Sequence, residues 1–185
     1  MFKYTFLLVL LFAGCVNTQI GYFEVSPYAR VTSNKIDQPL YVKYSSRVND
    51  IHLVKEPGFT IQTTDLHKSY LFATQRAFGD LFSDVRLFMP SDVGFILEIQ
   101  RMDPQWSFHE KQKINQFKDT FNYTETWCTI QYASTIYRND LLVSQSTGNV
   151  TVKQEEIAAY KPEVIFKEAV KRSIAQMAQE HYNKR

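Results

Sequence analysis

Glycine and proline are scarce in this chain, six of each among 185 residues, and there are only two cysteines. So few glycines leave no loop to cradle a phosphate, and no Gly-x-Ser-x-Gly, Walker or dinucleotide fingerprint occurs. A concentrated excess of one charge is also missing. The formal net charge is +2, and Lys3 lies in the opening segment, so the remainder is close to neutral. That excludes the dense basic footprint of a nucleic-acid binder. No apolar run approaches the ~20 residues of a spanning helix; the longest is Phe6 to Phe12. The four histidines, His52, His67, His109 and His181, are scattered, with no pair at the i, i+4 spacing of a metal site. Neither a metal nor another cofactor is expected. Asp65 and His67 lie two apart near a helix start and read as a cap and a surface residue. No catalytic constellation emerges, and the chain reads as a non-enzyme.

What the chain does have is aromatic content: 14 Phe, 11 Tyr and two Trp, 15% in all. Phe and Tyr suit a pleated, half-buried surface, so sheet is expected. Hydrophobic content of 44% and charged content of 22% are those of one globular domain able to bury a core.

The first residues carry the most specific signal. Lys3 supplies a positive start, Phe6 to Phe12 an apolar stretch, and Ala13-Gly14 small residues ahead of Cys15. This is the pattern of a secretory signal; the alternative is a buried N-terminal helix or strand. Phe12-Ala13-Gly14-Cys15 resembles the bacterial lipoprotein box, written Leu-Ala/Ser-Gly/Ala-Cys. Three positions match, and Phe12 stands where Leu is usual. The resemblance implies cleavage between Gly14 and Cys15, diacylglycerol on the Cys15 thiol and acylation of the new amine. Two or more chains, at roughly 0.8 kcal/mol per buried methylene, anchor a protein stably to a membrane. Val16, rather than Asp, follows the cysteine, which by the same resemblance favours the outer membrane with the domain facing the periplasm. With Cys15 lipidated, Cys128 has no disulfide partner and reads as a small buried hydrophobe.

Three segments follow: a signal peptide over 1–14, the lipidated cysteine and a tether over 15–39, and one domain over 40–185. Leu40 to Ser46 reads as the first strand, with Ile51 to Val54 a short extra one. Thr63-Thr64-Asp65 is a helix start, with Thr64 or Asp65 as cap, and Leu66 to Phe82 carries an apolar face at helical spacing. Val85 to Phe88 and Gly94 to Gln100 are strands. Asp103-Pro104 and the charged stretch Glu110 to Lys118 read as a long exposed connection. Phe121 to Tyr137 and Leu141 to Val152 form a hairpin through Arg138-Asn139-Asp140. The sequons at Asn122 and Asn149 read as strand residues. Pro162 opens a last amphipathic helix.

This order predicts an α+β fold: a two-layer sandwich, mainly antiparallel sheet with two amphipathic helices on one face, the other face solvated or covered by a partner. Together with the lipobox it is similar to a group of small envelope lipoproteins, among them the lipopolysaccharide-assembly lipoprotein and auxiliary lipoproteins of some envelope transporters. That resemblance implies a non-catalytic accessory or assembly subunit, bound to the membrane through Cys15 and to an envelope protein partner. Trp106, Tyr123, Trp127, Leu141 and Leu142 are the candidate interaction residues, because the aromatics are denser than a solvated hairpin needs and the hairpin tip is apolar. Sheet core is the competing reading of the aromatics. The alternative function is a binder of a small apolar ligand or lipid in a pocket between helices and sheet.

Overall fold

A computed structural model describes residues 16–29, 34–56, 59–114, 120–156 and 161–184. The strands are β1 (Val16–Ile20), β2 (Leu40–Tyr44), β3 (His52–Glu56), β4 (Phe59–Thr63), β5 (Val85–Leu87), β6 (Phe95–Ile114), β7 (Thr120–Arg138) and β8 (Leu141–Glu156). The helices are α1 (Leu66–Phe78) and α2 (Pro162–Asn183). One sheet has the order β5-β2-β6-β7-β8, and a smaller one β1-β4-β3.

The architecture is α+β, as the order of elements predicts, but both sheets are mixed. β2 runs parallel to β5 and to β6, and β1 parallel to β4, whereas β6, β7 and β8 form an antiparallel meander. The β2–β5 pairing follows from α1 lying between them: a strand reached across a helical crossover returns in the same direction.

Both helices cover one face of the larger sheet. Leu40, Val42, Leu97, Ile99, Ile130 and Ile136 point at them and are fully buried. From α1 come Tyr70, Ala73 and Phe78, and from α2 Phe166, Val170, Ile174 and Met177. Pro162 occupies the first turn of α2, where its missing N–H costs nothing.

Three departures from the sequence reading shape the surface. First, the expected long connection is strand. β6 continues through Asp103 and Pro104 to Ile114. Pro104 is tolerated because, among the described residues, β6 at that point has only β7 beside it. The register slips once, between Ile99 and Arg101, so that Gln100 is an extra residue. This bulge moves the inward set from Phe95, Leu97 and Ile99 to Met102, Pro104, Trp106 and Phe108. Second, the segment read as a tether, with Tyr22, Phe23 and Val25 packing partly on the domain, opens with a paired strand. β1 pairs with β4 from Val16 onward, Ile20 and Phe23 are buried, and the Phe23 N–H donates to Ser69 Oγ at 3.1 Å. Third, neither Thr64 nor Asp65 caps α1. Asp65 is left-handed at φ 56° and makes no capping bond. The cap comes from Asp50, whose Oδ1 accepts the His67 N–H at 2.7 Å.

Candidate functional site

The polar groups sort into a buried set that holds α2 down and a surface set on the long strands. Beneath α2, His181 is fully buried between two serines. Its Nε2 lies 2.8 Å from Ser134 Oγ and its Nδ1 2.7 Å from Ser144 Oγ. A hydroxyl both donates and accepts, so either neutral tautomer of the ring is satisfied. A serine beside a histidine suggests nucleophilic chemistry, but these groups are buried and work as a clamp between α2 and the β7–β8 hairpin.

One residue earlier, Glu180 accepts from Tyr132 Oη at 2.9 Å, Ser146 Oγ at 2.7 Å and Gln176 Nε2 at 3.2 Å. Partial burial acts to raise its pKa. The three hydrogen bonds and the Lys184 charge outweigh that and hold the carboxyl below its ordinary range. Tyr132 leans over Gly148, where a Cβ would come within 2.6 Å of its hydroxyl oxygen. Glycine is required there by close approach.

The other candidate chemistries resolve into structure as well. His67 Nε2 contacts the Val48 carbonyl at 2.7 Å, and its ring stacks on Tyr44 at 4.4 Å. It fastens the β2–β3 loop to α1, and Asp50 rather than Asp65 is its carboxylate neighbour. Cys128 is fully buried, and burial pushes its thiol pKa well up, the reverse of an activated nucleophile. Among the described residues no group of three His, Cys, Asp or Glu is placed to hold a metal ion. No described helix is long and apolar enough to cross a membrane.

The residues singled out for interaction occupy three separate places. Trp106 faces the helices, half-buried, stacked with Phe108 at 6.4 Å and Phe166 at 6.2 Å. It belongs to the core rim. Tyr123 and Trp127 stand on the opposite, helix-free face, since their register partners are Lys111 and Ser107. Trp127 lies between His109, 4.6 Å away between ring centroids, and the Lys153 ammonium at 3.8 Å. Leu141 and Leu142 project at the hairpin tip, 73% and 59% exposed. The turn beneath them uses Asn139 and Asp140, both at positive φ as a two-residue hairpin requires. Eleven strand residues separate Trp127 from that tip, about 36 Å at the rise of a strand, so the five residues form no single patch. Phe12, Ala13, Gly14 and Cys15 lie outside the described residues.

Around the Gln100 bulge the helix-free face is polar. A shallow groove of about 740 Å³ beside the Gln100 bulge is lined by Ser45, Arg47, Glu98, Gln100, Arg101 and Asp103. Beyond it the surface carries Thr129 and Thr151, their hydroxyls 2.8 Å apart, and Gln131 bonded to Gln105.

This two-layer arrangement has a solved counterpart. It is the crystal structure of protein XCC0632 from Xanthomonas campestris, of the family model DUF330, with a TM-score of 0.56 at 12% identity over 90% of this chain and 95% of that one. The shared feature is the fold. Two more distant structures are a minor lipoprotein from Acinetobacter baumannii (TM-score 0.45, 9% identity, 81% of this chain and 95% of that one) and uncharacterized lipoprotein B from Nitrosomonas europaea (0.44, 7%, 82% and 83%). No family model and no curated protein matches the sequence.

Proposed function

We propose that the chain is a lipid-anchored, non-catalytic protein of the bacterial cell envelope, an accessory or assembly subunit held to the membrane through Cys15 and facing the periplasm. The observation that carries this reading is the lipobox-like Phe12-Ala13-Gly14-Cys15 ending a short apolar run directly ahead of a folded domain. The domain supports it in two ways. Its serine–histidine and carboxylate groups are committed to holding α2, and its concave surface is shallow and polar. The space between helices and sheet is filled by Tyr70, Phe78, Phe82, Phe166 and Ile130, which favours an anchored subunit over an apolar-ligand carrier. The test is Cys15→Ala in the full chain with labelled fatty acid. Loss of label and release from the membrane fraction are expected. Unchanged membrane partition with no loss of label would overturn the anchor.

A further inference from the structure

Sheet edges in this molecule are defended unequally. β5 is three residues long and carries Arg86, and β3 carries Lys55. The free side of β6 beyond β2 carries Arg101, Asp103, Glu110, Lys111 and Lys113. Short length and charge are the usual protections against edge-to-edge pairing. β1 is uncharged but only five residues long. β8 is the exception. It is the outermost strand of the larger sheet, 16 residues long, with no charged residue and no proline from Leu141 to Val152. Among the described residues no strand lies on its outer side. Gln145, Thr147, Asn149 and Thr151 are exposed, while Ser144, Ser146 and Val152 alternate with them into the buried face. Burial on one face fixes which side chains point outward and leaves a regular, neutral edge.

We propose that this edge is a self-association site, where β8 of one copy pairs antiparallel with β8 of a second and joins the two five-stranded sheets into one. The occupant follows from charge. A strand meeting its own copy brings like side chains together near the two-fold axis, and like charges directly opposite are destabilising. Among the edges of useful length, β8 escapes that penalty. In a register centred on Asn149, Thr147 of each copy faces Thr151 of the other. Cross-strand Thr pairs bond through their hydroxyls, as Thr129 and Thr151 already do within this sheet. Lys184 marks the limit of the site at one end, where its ammonium donates to the Gln145 carbonyl. Lys153 marks the other. The proposal is independent of the lipid anchor.

The test uses the full chain in lipid nanodiscs or in an excess of detergent micelles, so that co-occupancy of one particle is rare. Asn149→Cys should give a disulfide-linked dimer in the oxidised sample, since opposed residues of an antiparallel pair bring Cβ atoms to within about 5.5 Å. Gln105→Cys, exposed on β6 two strands away from the β8 edge, should not. By sedimentation, Thr147→Lys/Thr151→Lys and Thr147→Glu/Thr151→Glu should each be monomeric, and their mixture should recover the dimer. A monomeric wild type at 100-fold the concentration used for the variants (about two decades of mass action) overturns the proposal. So does equal crosslinking at Asn149 and Gln105, or a charge pair that leaves the dimer intact. A monomer that instead takes up a foreign strand at this edge also overturns it. The crosslinking arm stands even if a charge variant fails to fold.

Discussion

At the scale of single residues, stability rests on a few close approaches. Gly148→Ala sets a methyl against a buried Tyr132 whose hydroxyl is held by Glu180; overpacking of this kind costs about 1–3 kcal/mol, readable as a drop in thermal midpoint. The two aspartates before α1 should behave oppositely. Asp50→Ala removes the working cap, a loss of about 0.5–2 kcal/mol, whereas Asp65→Gly relieves a left-handed backbone and should leave stability unchanged or raised by up to ~1 kcal/mol. Tyr70 is fully buried, and its hydroxyl has no hydrogen-bond partner among the described residues. Tyr70→Phe should therefore be neutral or stabilising, by about 1 kcal/mol, where most core substitutions destabilise. Glu180 gives a pH signature. Its pKa is lower folded than the ordinary 4.5. The stability it supplies is thus present above that pH and disappears as pH falls through the folded value. The gap in thermal midpoint between wild type and Glu180→Gln should close on going from pH 6 to pH 3. Partial exposure keeps the effect below about 1 kcal/mol.

At the scale of elements, what was legible in the sequence were the segments whose period was unbroken. Phe95, Leu97 and Ile99 announce a strand, Pro162 opens a helix, and Asn139-Asp140 marks a tight hairpin. The continuation of β6 is hidden by one extra residue. From Ile99 the apolar positions resume at Met102, Trp106 and Phe108, a step of three inside a period of two. Such a step is the trace a bulge leaves in sequence, and read with it the charged stretch from Glu110 becomes the solvated end of a strand. The parallel pairing of β2 with β5 is also legible, because a helix lies between them in the chain. The cap from Asp50 is not, because it acts across seventeen residues and needs the β2–β3 loop already in place. Residue type marks Trp106 and Trp127 alike, and type cannot tell faces apart. Trp106 and Trp127 ended on opposite sides because their registers with the neighbouring strand differ by one residue in parity.

At the scale of the whole molecule, the helices and the buried polar clamp occupy one face, leaving the strands to present a helix-free sheet face and a neutral edge. The start of β1 bears on how such a body would sit on a membrane. A lipid on Cys15 would be attached one residue before a hydrogen-bonded strand, so the domain would have no slack. Its tilt relative to the bilayer would be set by the direction of β1, and any site it offers would stand at a height fixed by the body of the protein. Six Gly/Ser residues inserted between Cys15 and Val16 would add about 13 Å of reach and free the domain to tumble. A subunit whose work depends on that height should lose function with the insertion while keeping its lipid, its fold and its place in the membrane fraction.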